Sequence, residues 1–264
     1  MRHTKSARYN RVRAGFLGLL LAFVILPLQG ATFSPDSLIT RANLYYANGM
    51  YEDAIRLYRQ VVDSGYAAAE LYYNLGNAYF KAHDIPHAIL YYERARLLDP
   101  GNEDIKYNLE LARTYVTDKV DVLPQFFLVA WYHWFLDRLP ADGWAILSMI
   151  FFFFGLLFLS LYLLARKEGL KRTGFITGVV TLILSAVLFL FAWQSHTMLT
   201  AHDHAIVMEP SVTVKSSPGE EGTDLFVIHE GMKVKVVDTL DQWTEIRLED
   251  GSKGWLPNEA ITKI

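Results

Sequence analysis

The histidines are the first residues whose spacing suggests chemistry. His83 and His87 stand four apart, an interval that puts two imidazoles on one helix face for a metal ion. Ile85-Pro86 lies between them, so His83 falls in a turn, His87 opens the next helix, and both read as surface histidines. His202-Asp203-His204, with His196 upstream, could hold a metal or sense pH, but it follows an apolar run and reads as a polar linker. Glu220-Glu221 and Glu249-Asp250 are paired acids beside turn residues, where solvated charge is the default. The chain contains no G-x-S-x-G, H-E-x-x-H or G-x-x-x-x-G-K-[ST] pattern. It contains no cysteine, which excludes a disulfide, a thiolate nucleophile, a cysteine metal cluster and a lipid-modified cysteine. No catalytic residue, no metal ligand and no cofactor is assigned. Binding is the chemistry that remains.

The elements that would present a binding surface centre on residues 69–100, AELYYNLGNAYFKAHDIPHAILYYERARLLDP. Gly76 and Ala88 are small where two helices would cross, Tyr79 and Tyr92 fill the space beside the crossing, and Pro100 ends the second helix. A shift of 34 residues backwards aligns Ala88 with Ala54, Tyr79 with Tyr45, Tyr92 with Tyr58 and Asn77 with Asn43; a forward shift aligns Tyr73-Asn74-Leu75 with Tyr107-Asn108-Leu109. This pattern resembles the tetratricopeptide repeat (TPR), a helix–turn–helix unit that buries its core by stacking. The expectation is two repeats and a closing helix over residues 34–118.

In that family the first helix of each repeat lines a concave groove. The resemblance places Asn43, Tyr46, Tyr73, Asn74, Asn77, Lys81, Tyr107 and Asn108 there. Some TPRs clamp a peptide carboxylate with two Asn and three cations. Asn43 and Asn74 fall at the Asn positions, but the basic positions hold Ile39, Asp104 and Asn108, which argues against that ligand. An amide- and tyrosine-lined groove suits extended peptide backbone. The alternative is that these side chains serve packing and solubility.

Charge and hydropathy divide the rest. Residues 1–33 carry five Lys and Arg and no acid, and Ala14 to Leu28 is apolar, the plan of a secretory signal over 1–31, cleaved or kept as an anchor. Ser34 would cap the first repeat helix. Residues 34–123 hold nine Lys and Arg against thirteen acids, and residues 200–264 six against twelve. Both parts are acidic, which argues against a nucleic-acid partner. Apolar runs fill spans at 144–165 and 173–194, with Trp144 and Trp193 as interface anchors. The four bases in 166–172 place that loop in the cytoplasm and both flanking domains outside. Residues 124–140 are aromatic but too short to span, and read as an interfacial helix, or else as a helix buried on the last repeat.

From Ile206 short alternating strands begin, with Asp250-Gly251 as a hairpin turn. Val214-Lys215-Ser216-Ser217-Pro218, Gly231, Trp243 and Asp250-Gly251-Ser252-Lys253-Gly254-Trp255-Leu256 resemble the bacterial SH3-like (SH3b) domain over 206–264. That resemblance implies a small closed all-β barrel that binds cell-wall peptides or proteins. The expected fold class is a multidomain membrane protein: an all-α TPR domain, two transmembrane helices and a C-terminal SH3-like barrel.

The whole order is similar to the TPR proteins of bacterial aerotolerance (Bat) operons. The resemblance implies a scaffold in the bacterial inner membrane with both soluble domains on the periplasmic side. Its implied partners are membrane-anchored von Willebrand factor A-domain proteins of the same operon, with a MoxR-type ATPase associated. Cell wall is a second ligand class.

Overall fold

The structure is a computed structural model that describes residues 35–119 and 126–264. The signal segment, the Ser34 cap and the first residues of the aromatic segment lie outside them. Among the described residues five helices come first: α1 (Pro35–Ala47), α2 (Tyr51–Asp63), α3 (Ala69–Lys81), α4 (Ile85–Leu98) and α5 (Glu103–Arg113). Their ends follow local chemistry. The Asp84 side chain accepts from the His87 backbone N–H and caps α4, with Pro86 in its first turn, while Asn102 accepts from Asp104 and Ile105 and caps α5. Gly76 must be glycine because a Cβ there would lie 2.7 Å from the Tyr92 ring. Ala42, Ala54, Tyr58, Leu75, Ala88 and Tyr92 close the helical core.

Helix α6 (Phe127–Leu136) leads to two helices long and apolar enough to cross a membrane, α7 (Ala141–Leu164) and α8 (Glu168–Ala201). These pack antiparallel. A Cβ on Gly174 would come within 2.9 Å of the Tyr162 backbone, one on Gly178 within 2.9 Å of Leu159, and one on Gly155 within 2.6 Å of Leu182. Ser148 and Ser185 hydroxyls each donate to the other's backbone carbonyl, at 3.0 and 2.9 Å.

Three expectations change here. The basic segment 166–172 is not a loop through its length, because α8 already begins at Glu168. The polar linker around His196 is helical, since the α8 hydrogen bonds run on to Ala201 before His202 turns the chain with φ 45°. Trp144 is no interface anchor. It is 3% exposed, rests against Phe135 and Phe191, and donates its indole N–H to the Leu136 carbonyl at 3.1 Å. Trp193 is exposed. Helix α6 leans on α8 through Tyr132 and Phe135 against Phe191, while Phe127, Trp131 and Trp134 stay exposed.

The C-terminal part is one antiparallel sheet: β1 (His204–Val207), β2 (Ser211–Lys215), β3 (Asp224–His229), β4 (Lys233–Leu240), β5 (Trp243–Arg247), β6 (Lys253–Pro257) and β7 (Ile261–Lys263). The order is β3-β2-β6-β5-β4-β1-β7, and the expected closed barrel is not formed, since β3 and β7 are left as edges. The Asp250-Gly251 turn joins β5 to β6 as anticipated, with Gly251 at φ 92°. Ala205, Val207, Val214, Val234, Ile246 and Leu256 share one core, so the sheet curls around a single face.

Candidate protein-binding groove and the contact behind it

The eight side chains assigned to the groove lie on α1 (Asn43, Tyr46), α3 (Tyr73, Asn74, Asn77, Lys81) and α5 (Tyr107, Asn108). Helical spacing brings part of this set into one bonded floor. The Tyr58 hydroxyl donates to Asn43 Oδ1, and 34 residues on the Tyr92 hydroxyl donates to Asn77 Oδ1 at 2.7 Å. Asn108 Nδ2 donates both to Asn77 Oδ1 and to the Tyr73 hydroxyl, each at 2.9 Å. Asn77 therefore accepts two bonds, which fills its carbonyl. Burial pushes the Tyr58 phenol up to about 12 and also raises Tyr92 and Tyr46, so all three remain donors at neutral pH.

The structure thus splits the expected groove in two. Asn43, Asn77 and Asn108 spend their amides on neighbouring helices. The Asn74 and Lys81 side chains make no hydrogen bond among the described residues, and Tyr107 is exposed. Two residues that sequence reasoning did not assign join α3 to the chain after α5: Tyr115, exposed, meets the Phe80 ring edge-on at 5.5 Å. Tyr107, Leu111 and Tyr115 recur at four-residue steps and are all exposed, a periodicity that the sequence does carry.

The histidines do not gather. His87 Nδ1 meets Asp84 at 2.9 Å and its ring stacks on Tyr79 at 4.9 Å, and His83 turns the chain with φ 63°. His202 meets the Ile264 carbonyl and His204 meets Asp203. Among the described residues no group of three His, Asp or Glu is placed to hold a metal.

A second constellation, unassigned from sequence, lies on the other side of the repeats. Glu93 on α4 is wholly buried. Its Oε2 accepts from Lys233 Nζ on β4 at 3.0 Å and from Arg96 at 3.0 Å, and its Oε1 accepts from Arg113 at 2.6 Å. Burial alone would raise the Glu93 carboxyl, but Lys233, Arg96 and Arg113 outweigh it and hold the group at about 2. Burial, together with repulsion from Arg96 and Arg113, lowers the Lys233 ammonium. Beside this node Ile206 and Ile264 enter the repeat core, Asp118 accepts from the His229 backbone N–H at 2.6 Å, and Arg94 donates to the Lys263 carbonyl at 2.7 Å. The sheet is bolted to α4 and to the chain after α5, and none of these bonds uses a groove residue. An isolated acid inside an apolar helix gave no sequence signal that cations 20 and 140 residues away converge on it.

Comparison with known families fits this geometry. Residues 39–103 match the tetratricopeptide repeat model and residues 210–262 match the bacterial SH3 domain model. The chain carries both. A search of the curated proteins finds no match to it. The TPR match covers α2 to α4 with most of α1, and the SH3 match begins after β1, so the strand that enters the repeat core lies outside it.

Proposed function

We propose that this protein is a non-enzymatic adaptor in a bacterial inner membrane, whose TPR groove takes an extended segment of a membrane-anchored protein partner. TPR regions suggest protein interaction and SH3b domains suggest cell-wall binding. The observation that carries the adaptor reading is the groove's division of labour. Asn77 and Asn108 form a braced floor, Asn74, Lys81 and Tyr107 are left available above it, and the sheet docks on α4 without covering them. The membrane part of the reading rests on α7 and α8. Only 11% and 22% of their apolar stretches are buried, against the near-complete burial of a soluble core helix. The shared TPR–sheet body requires both domains on one side of the bilayer, which a two-helix hairpin provides and which agrees with the four bases of 166–172 inside.

The order of parts keeps its likeness to BatE, the TPR protein of the aerotolerance operon. Under that likeness the partners are von Willebrand factor A-domain proteins. A photocrosslinker at Tyr107, in cells, should trap one discrete membrane protein, and Lys81→Glu with Asn74→Ala should cut the adduct severalfold. An undiminished adduct would remove the groove from the mechanism.

A wall-binding reading is favoured by one feature, a cleft of about 370 Å³ at the end of the sheet lined by Trp243, Pro257, Gln242, Asn258, Glu220 and Glu259. Full-length protein in detergent, mixed with purified wall, should sediment with it, and Trp243→Ala should abolish this. Sedimentation that ignores Trp243 would sink the wall reading.

A further inference from the structure

A cavity of about 660 Å³ remains that the groove does not use. Its walls include Arg96 and Leu97 of α4, Leu136 of α6, Met198 of α8, and Lys233 and Lys235 of β4. Its height in the molecule is set by α8. The apolar run ends at Trp193, which is exposed, and the helix continues eight residues to Ala201, about 12 Å further. The headgroup layer of a bilayer leaflet is roughly 5–8 Å deep, so the α8 wall at Ser195 and Met198 sits within or just above it.

The lining has two characters. Leu97, Leu136, Met198 and Ala201 are apolar. Arg96, Lys233 and Lys235 are cationic, with His133 and His204 beside them and Asp137 and Asp203 as the acids. The wall carries three cations against two acids. Lys235 shares Asp203 with His204 at 3.3 and 2.8 Å, and Lys233 and Arg96 share Glu93 with Arg113, which also pairs with Glu110 at 2.8 Å. Arg96 and Arg113 press the Lys233 ammonium down while Glu93 opposes them, and an anion in the cavity would add to that opposition. A space with an apolar side and a polar side that holds three cations, open beside a span and about the size of a ligand pocket, suits an amphiphile with a phosphate.

We propose that this cavity holds the headgroup of a membrane phospholipid, its phosphate on Arg96, Lys233 and Lys235 and its glycerol and first acyl carbons along Leu97, Leu136 and Met198. The proposal rests on the membrane reading of α7 and α8. The bound lipid would then fill the corner where repeats, sheet and span meet, and would fix the angle of the soluble body to the bilayer.

The test uses full-length protein in nanodiscs of mixed phosphatidylethanolamine and phosphatidylglycerol, released for native mass spectrometry. One phospholipid should stay with each chain. Met198→Trp, which fills the space, and Lys235→Glu, at an exposed position, should each lower retention by at least ~5-fold, about 1 kcal/mol. Phe153→Ala, on the outward face of α7, should leave it unchanged. Circular dichroism confirms that each variant is folded, and Lys235→Glu decides the matter should Met198→Trp misfold. Equal retention in all variants, or none in the parent, overturns the proposal. Displacement by soluble glycerophosphate shows a site for free phosphate esters and overturns the lipid assignment. Fractionation of the same cells separates the two readings: membrane-bound protein without retained lipid fails the cavity alone, whereas protein soluble without detergent fails both.

Discussion

Glu93 holds the repeats and the sheet against each other, and its environment makes that contact directional in pH. Its folded value, about 2, lies below the ordinary 4.5, so its contribution is complete above 4.5 and is lost as pH falls through 2. Glu93→Gln leaves Lys233, Arg96 and Arg113 around a neutral amide. It should cost about 3–5 kcal/mol at neutral pH, read as a lower Tm of the full chain in detergent. The gap between parent and variant should close between pH 4.5 and 2, and a gap constant across that range would show that Glu93 is not ionised in the fold. The asparagines offer a second contrast. Asn77→Ala strands the hydroxyl of buried Tyr92 and one Asn108 bond, and should destabilise by about 1–3 kcal/mol. Asn74→Ala removes no such bond and should leave Tm within about 0.5 kcal/mol while weakening partner capture. Equal Tm losses in the two variants would refute the division between floor and contact residues.

At the scale of elements, what the sequence made legible was whatever repeats or alternates locally. Gly76, Ala88 and Tyr92 announced the helix crossing, and Asp250-Gly251 announced the β5–β6 hairpin. Trp144 misled because an aromatic at the end of an apolar run has two uses, and only the fold shows that Phe135 and Phe191 enclose it. The bases at 171 and 172 read as loop because charge marks a span's end, yet the helix ladder tolerates Lys and Arg and begins at Glu168. The α7–α8 contact was equally hidden, since Gly155, Gly174 and Gly178 are small for reasons that lie on the opposite helix. Gly174→Leu puts a side chain against the Tyr162 and Phe158 backbone, which cannot yield as a side chain would. It should destabilise the hairpin by at least the ~1–3 kcal/mol typical of overpacking, measured by thermal unfolding in detergent, whereas Gly169→Ala, with open space around it, should be neutral.

At the scale of the whole molecule, the candidate site was half legible: the sequence named candidate groove residues on three helices, but the sheet's place against α4 depends on contacts between residues as distant as Glu93 and Lys233. That contact sharpens the proposed membrane topology into a single prediction. If repeats and sheet are one body, no arrangement can put them on opposite sides of a bilayer, and the link between α7 and α8 must face away from both. The absence of cysteine makes the test clean, because any introduced thiol is the only one in the chain. Ser64→Cys in the repeats and Ser217→Cys in the sheet are exposed positions on the two domains, and Gly169→Cys is exposed at the start of α8. In spheroplasts, a membrane-impermeant maleimide should label the first two at once and the third only after permeabilisation. Labelling of Ser64→Cys without Ser217→Cys would contradict the Glu93 contact itself, because a carboxylate and its cation cannot pair across an apolar layer about 30 Å thick. Labelling of all three in intact spheroplasts would instead leave the shared body standing and remove the membrane from beneath it.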